Sequence, residues 1–154
     1  MILLPDPPLR SGEMLLRPWR AEDAPALVEA WADEQIQRWT AVPERRDLAA
    51  ARRWILGDQV RRQRWLSLDL VVEVSGEVAG EVGLSSFDRH AGTVEIGWWT
   101  ASAHRGRGVA SSASALVVTW CRRSLSLDSV VARCDAANPA SVVVAKRSGA
   151  MVHV

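Results

Sequence analysis

The sequence has no tyrosine, a single phenylalanine and a single lysine, Lys146, among its 154 residues. Any mechanism that needs a tyrosine hydroxyl is therefore excluded. Eighteen arginines balance eighteen acidic residues, and the net charge is +1. This balance does not demand a nucleic-acid or membrane partner. We attribute the preference for arginine over lysine to genomic base composition.

Cysteines and long hydrophobic runs are also scarce. Cys121 and Cys134 lack the C-x-x-C spacing of zinc and redox sites. Residues 1–9 are apolar but short and interrupted by prolines, and no run reaches the length of a membrane span. We therefore expect a cytoplasmic protein with no metal and no membrane partner. The length and the lack of a linker predict one domain, residues 1–154.

Hydrophobic periodicity predicts an α/β protein with a mixed, mostly antiparallel sheet flanked by four helices. The predicted strands are residues 14–17, 66–74, 77–87, 93–100 and 130–134, and the predicted helices begin near Asp23, Asp47, Gly108 and Asn138. Asn138 is the expected N-cap of the last helix, and Gly149 lies just past its end. On the second helix, the arginines at 52–53 and 61–62 are expected to face solvent.

The segment at 95–120 places a basic, glycine-rich turn, Arg105-Gly106-Arg107-Gly108, between an apolar strand and a helix of small residues. The first turn of a helix leaves main-chain N–H groups without partners, and the helix dipole adds positive potential there. The glycines allow close approach to the backbone, and the arginines add charge at the rim. This arrangement predicts a phosphate-binding turn. Its spacing fits neither the G-x-G-x-x-G fingerprint nor the Walker loop.

The chain resembles the GNAT superfamily of N-acetyltransferases, in particular the branch that acetylates ribosomal-protein N-termini at alanine or serine. The matching pieces are "LLRPWRAEDAPAL", "VEIGWWTASAHRGRGVA", "NPAS" and "AKRSGA", which run from about residue 14 to 150. The acyl-CoA motif of the family, Q/R-x-x-G-x-G/A, is matched by Arg105, Gly108 and Ala110. The resemblance implies the acyl-CoA N-acyltransferase fold.

The resemblance also implies where acetyl-CoA binds. Its pyrophosphate would rest on the amides of residues 105–110, and a bulge would splay the preceding strand from its parallel neighbour so that pantetheine can enter. A backbone N–H near residues 98–100 would polarise the thioester carbonyl. The implied cofactor-binding residues are Trp98, Trp99, Thr100, Arg105, Gly106, Arg107, Gly108, Val109, Ala110 and Asn138.

Two residues are candidates for proton transfer. Glu95 is the candidate base, because strand alternation puts it on the face of Gly97 and Trp99; the alternative is that it pairs with an arginine. Asp88 is a weaker candidate. Since tyrosine is absent, the resemblance implies that Ser141 is the hydrogen-bond donor or acid for the departing thiolate, although Ser141 is equally able to bond the helix backbone.

The implied reaction is transfer of an acetyl group from acetyl-CoA to a primary amine, by direct attack in a ternary complex. The acceptor is a protein N-terminus or a small molecule. A non-catalytic acyl-CoA-binding module is the main alternative, and a nucleic-acid-binding domain is a weaker one. Similar proteins continue with two C-terminal strands, whereas "MVHV" allows one at most. Either the sequence is clipped, or residues 130–134 have an unpaired edge, where we expect a homodimer to form by edge pairing or strand exchange.

Overall fold

A computed structural model describes all residues, 1–154. Seven strands form one sheet in chain order: β1 (Arg10–Ser11), β2 (Met14–Pro18), β3 (Ser67–Val74), β4 (Glu77–Asp88), β5 (Thr93–Thr100), β6 (Ser129–Arg133) and β7 (Met151–His153). Six α-helices flank it: α1 (Ala24–Ala32), α2 (Glu34–Trp39), α3 (Leu48–Leu56), α4 (Asp58–Gln63), α5 (Val109–Ser124) and α6 (Pro139–Ser148). None of them is both long and apolar enough to cross a bilayer.

Local sequence signals account for most of these boundaries. Strands β2 to β5 form the predicted antiparallel meander. Ser75 and Gly76, both at positive φ (51° and 81°), form the turn between β3 and β4. Asn138 caps α6, and Gly149 ends it with a φ of 82°. The expected order of elements is therefore confirmed in the centre and in the second half of the chain.

The two predicted N-terminal helices are each divided, which makes six helices instead of four. Asp33 interrupts the first in an extended conformation, and its carboxylate accepts hydrogen bonds from the amides of Gln35 and Ile36. Gly57 separates α3 from α4. An aspartate that bonds the amides two and three residues ahead favours a new N-terminus over continued helix.

Hydrophobic side chains pack on both faces of the sheet. Leu70 and Val72 of β3 belong to a large core with residues of α5 and α6, including Val117 and Ala145. Val71, which points to the opposite face, belongs to a smaller core on the side of α1 and α3. The smaller core contains Trp19, Ala24, Leu27, Trp31, Ala51, Ile55 and Val71. Both faces of the sheet are therefore covered by helices.

Strands β5 and β6 are parallel and pair only between residues 93–95 and 129–131. Beyond Glu95, β5 continues to Thr100 with a partner on its β4 side alone. The expected bulge is not in this part of β5, whose register with β4 is continuous; the shift lies between Ser85 and Asp88 of β4. The divergence of β5 from β6 leaves a free strand edge in the middle of the sheet.

The other edge of β6 is paired, contrary to expectation. Residues 131–133 of β6 pair in parallel with Met151–His153 of β7. The prediction of at most one strand after α6 is confirmed, but the prediction of an unpaired edge at 130–134 was wrong. The dimer inferred from that edge loses its premise and stays a prediction.

Candidate active site

The turn between β5 and α5 presents a row of main-chain amides. Gly106 and Gly108 adopt left-handed conformations, with φ of 74° and 73°. Hydrogen bonding resumes at Ser112, whose amide donates to the Gly108 carbonyl at 3.0 Å, and no protein group accepts from the amides of residues 106–111. A Cβ added to either glycine would meet nothing within 4 Å. Free amides facing open space at the start of a helix suit an anion.

The two arginines of the turn behave differently. Arg105 was expected to lie free at the rim, but it does not. Its Nε atom donates to the Thr100 carbonyl at 3.1 Å, and its Nη2 atom donates to Asp33 Oδ1 at 2.8 Å. Arg107 is exposed and makes no ion pair with an acidic side chain. Arg107 is therefore held by no acidic partner, whereas Arg105 ties the turn to the start of α2.

A cavity of about 580 Å³ lies beside the turn; we call it the larger cavity. Its walls come from the free edge of β5, the turn and the first part of α6. All of the predicted cofactor-binding residues except Arg107 line it, including Trp98, Gly108 and Asn138. The structure thus brings these residues together around one space.

A second cavity, of about 340 Å³, adjoins the first; we call it the smaller cavity. Five tryptophans and two carboxyl groups are in its wall: Trp31, Trp39, Trp54, Trp98, Trp99, Asp69 and Glu81. The residues shared by both cavities are Ile36, Trp39, Thr40, Trp98, Trp99 and Ser141. The two spaces therefore meet between α2, the end of β5 and the start of α6.

The carboxyl groups of the smaller cavity have unusual environments. Glu81 accepts hydrogen bonds from the indole Nε1 atoms of Trp19, at 2.7 Å, and Trp99, at 3.2 Å. Burial raises the pKa of Glu81 to about 8, and the charge of Asp69 adds to the effect, while the two indoles oppose it. Burial also raises the pKa of Asp69, which accepts a hydrogen bond from Ser67 Oγ at 2.7 Å.

Arg61, expected on a solvated face, lies against these carboxyl groups. Its side chain is 20% exposed, and its Nε atom is 3.6 Å from Asp69 Oδ2. Its guanidinium carbon lies 4.2 Å from the centroid of the Trp54 ring. The prediction was wrong because Gly57 divides the helix, so the periodicity counted from Asp47 does not extend to residue 61.

The two carboxylates proposed as bases are both engaged. Glu95 Oε1 accepts a hydrogen bond from Arg133 Nε at 2.8 Å, and the Glu95 side chain is 34% exposed. Arg133 lines the smaller cavity, whereas Glu95 does not. Asp88 accepts the amides of His90 and Ala91 at 3.0 and 2.8 Å and thus orders a hairpin turn outside both cavities.

The predicted acid, Ser141, lines both cavities. Its hydroxyl donates to Cys134 Sγ at 3.5 Å rather than to the helix backbone, and Cys134 is a buried free thiol. Asn138 Oδ1 accepts the Ser141 amide at 3.3 Å, so Asn138 is an N-cap that also borders the larger cavity. The cap thereby fixes Ser141 at the junction of the two cavities.

Asp69 and Glu81 were not found by sequence reasoning. A signal was present in "GEVGL", where Glu81 and Gly83 share one face of β4 and Val82 and Leu84 belong to the large core on the other. A carboxylate in a strand that is covered on both faces must become at least partly buried. The pairing of strands distant in the sequence then determines what surrounds it.

Taken together, these features define a group transferase with two substrates. The larger cavity has a turn with free amides and a free strand edge, and the smaller one has carboxyl groups and tryptophan rings of the kind that suit an amine. The expectation of a mixed, mostly antiparallel sheet is confirmed, and the turn as the acyl-CoA site stays a prediction.

Residues 13–151 match the family described as acetyltransferase (GNAT) domain, and the chain belongs to that family. It is 27% identical over 141 residues to the uncharacterised N-acetyltransferase p20 of Bacillus licheniformis, which covers 87% of this chain and 76% of that protein. It is 28% identical over 98 residues to the ribosomal-protein-serine acetyltransferase of Escherichia coli, covering 64% and 55% respectively. The chain thus spans about half of the second relative.

Among solved structures, the microcin C7 self-immunity acetyltransferase MccE, in complex with acetyl-CoA and AMP, has a TM-score of 0.78 and 20% identity. The match covers 90% of this chain and 79% of that chain. The fold, the family and the acetyl-CoA-dependent N-acetyltransferase activity expected from the sequence are confirmed. Acetyl-CoA is the cosubstrate.

Proposed function

We propose that this enzyme acetylates the N-terminal amine of a protein that begins with serine or alanine. Acetyl-CoA occupies the larger cavity and the N-terminus enters the smaller one. The observation that carries the proposal is the meeting of the two cavities at Trp98, Trp99 and Ser141. The name of the Escherichia coli relative, a ribosomal-protein-serine acetyltransferase, supports the acceptor class.

The free amides at 106–111 support the placement of the cosubstrate. They lie at the start of a 16-residue helix, where backbone donors and the helix dipole both favour the diphosphate. The edge of β5 beyond Glu95 offers main-chain groups to pantetheine in the manner of an added strand. Amides at residues 98–100 would then lie near the thioester carbonyl and stabilise the negative charge that develops on it.

The acceptor must lose a proton before it attacks, because an ammonium group has no free electron pair. The neutral amine then attacks the carbonyl carbon and the carbon–sulfur bond breaks. Coenzyme A leaves as a thiolate, which takes up the second proton that the nitrogen releases as the amide forms. We assign the hydroxyl of Ser141, at the junction of the cavities, as the donor to that thiolate. Glu95, the base predicted from the sequence, is held by Arg133 and lines neither cavity.

A peptide panel tests the proposal. Thiol release from acetyl-CoA is followed with hexapeptides that begin with serine, alanine or glutamate, and with the serine peptide blocked at its N-terminus as control. We expect turnover with the serine or alanine peptide and none with the blocked one. Turnover with small amines alone would contradict the acceptor class. An absence of turnover with every amine, together with thermal stabilisation by acetyl-CoA, would favour a binding module.

A further inference from the structure

The Glu81 carboxyl group is fixed in orientation and can still accept a proton. The indole of Trp19, from the segment before α1, donates to one of its oxygens, and the indole of Trp99, from β5, donates to the other. Neither indole can accept a proton, and each carboxyl oxygen retains a second lone pair. Glu81 is in the wall of the smaller cavity. Its partner Trp99 lines both cavities, so Glu81 lies near their junction.

The charged groups near Glu81 do not neutralise it. Asp69 of β3 is the acidic neighbour, and Arg61 of α4 is the basic one. Arg61 lies against Asp69, at 3.6 Å, and over the ring of Trp54, and forms no ion pair with Glu81. Burial, the first cause, and the charge of Asp69 therefore outweigh the two indoles and Arg61, which raises the pKa of Glu81 to about 8.

Glu95 has the opposite environment. It is one-third exposed and its carboxylate accepts a hydrogen bond from Arg133 at 2.8 Å. That carboxylate is occupied by the arginine, and it lines neither of the two cavities. A general base works best when its pKa lies near the working pH, which burial achieves for a glutamate. Of the two glutamates, Glu81 therefore has the chemistry of the base.

We propose that Glu81 is the catalytic residue that binds the ammonium group of the acceptor in the smaller cavity and removes its proton. This inference rests on the proposed function. One N–H bond of the ammonium breaks, the proton passes to the Glu81 carboxylate, and the nitrogen keeps the electron pair with which it attacks acetyl-CoA. Glu81 returns the proton to solvent after each turnover. The surrounding tryptophan rings add π surface that attracts a cation.

A first experiment observes Glu81 without turnover. The eight tryptophans give eight indole N–H resonances, and Trp19→Phe and Trp99→Phe identify the two that bond Glu81. In the complex with coenzyme A, we expect both resonances to titrate near pH 8 and to lose that transition in Glu81→Gln. The serine hexapeptide, as an ammonium ion, should move the transition to lower pH, because it stabilises the carboxylate.

A second experiment measures kcat/KM against pH with the same peptide. We expect an acidic limb near pH 8 in the wild type, because Glu81 must be ionised to accept a proton. Glu81→Gln should lower kcat/KM by about a hundredfold or more and remove the limb. Trp19→Phe, which lies outside both cavities, removes one N–H bond to the carboxylate and should move the limb to higher pH. Melting temperatures and acetyl-CoA affinities verify that each variant is folded.

The matched control is Glu95→Gln, which should keep the acidic limb. If Glu95→Gln loses the limb and Glu81→Gln retains it, the inference is overturned. It is also overturned if the peptide is acetylated but leaves both indole resonances unmoved, and in that case the proposed function stands. If the peptide is neither acetylated nor bound while another amine is acetylated, the proposed acceptor class fails, and the same titration with that amine decides the role of Glu81.

Discussion

The Nη2 atom of Arg105 lies 2.8 Å from the Oδ1 atom of Asp33, and this contact joins the glycine-rich turn before α5 to the start of α2. The same Asp33 oxygen accepts the amides of Gln35 and Ile36, at 2.9 and 3.1 Å. Since Ile36 lines both cavities, the position of α2 affects both substrates. Arg105 is therefore a positioning residue at least as much as a ligand of the cosubstrate.

Two substitutions at Asp33 separate the contribution of its N-cap hydrogen bonds from that of its ion pair with Arg105. Asp33→Ala removes both and should lower the free energy of unfolding by about 1–2 kcal/mol. Asp33→Asn keeps a side chain that caps well and loses only a partly exposed ion pair, so its cost should be below about 1 kcal/mol. Denaturant unfolding measures both. Equal losses for the two variants would show that the cap contributes nothing.

The same pair predicts a pH dependence. The hydrogen bond from Arg105 lowers the pKa of Asp33 below its ordinary value, although burial opposes it. Because the folded-state pKa is depressed, the stabilisation is complete above the unfolded pKa of about 4 and is lost as the pH falls through the lower folded value. The stability advantage of the wild type over Asp33→Asn should therefore shrink below about pH 4. Urea unfolding at pH 3 and pH 6 measures it, and a constant difference would contradict the assignment.

Alanine substitutions at two glycines test whether the turn at 106–108 binds the diphosphate. Gly108 and Gly76 both have positive φ, 73° and 81°, and a Cβ on either would meet nothing within 4 Å. Alanine at either position should cost about 1–2 kcal/mol of strain. Only Gly108→Ala places a methyl group in front of the free amides, so it should weaken acetyl-CoA binding about tenfold or more, as calorimetry would detect. Equal affinities in the two variants would remove the turn as the diphosphate site.

Signals that act over a few residues were readable from the sequence. The strand at 93–100, the N-cap at Asn138 and the glycine turn at 106–108 are where local rules place them. The break at Asp33 was missed because its carboxylate cap competes with an otherwise continuous helical pattern. Glu81 was missed because its environment depends on Trp19, 62 residues away, and on the register between β4 and β5. Burial and strand pairing, which give Glu81 its pKa, are properties of the folded chain.

The role of Ser141 can be tested against another serine of the same helix. Ser148 is buried, and its hydroxyl donates to the Ala145 carbonyl at 2.7 Å, so Ser148→Ala should cost about 1 kcal/mol of stability and leave kcat near the wild-type value. Ser141→Ala removes only a weak contact with Cys134 but also the proposed proton donor. We expect it to lower kcat about a hundredfold with little change in melting temperature or acetyl-CoA affinity.

If Ser141→Ala instead keeps kcat and loses affinity for acetyl-CoA, Ser141 acts in binding and not in proton donation. The step at which the defect appears distinguishes proton donation from binding further. Because a donor matters only while the carbon–sulfur bond breaks, the defect should appear in single-turnover measurements of thiol release and not in the binding of coenzyme A. With no tyrosine in the chain and Cys134 buried behind it, Ser141 is the hydroxyl at the junction of the cavities that is best placed for this step.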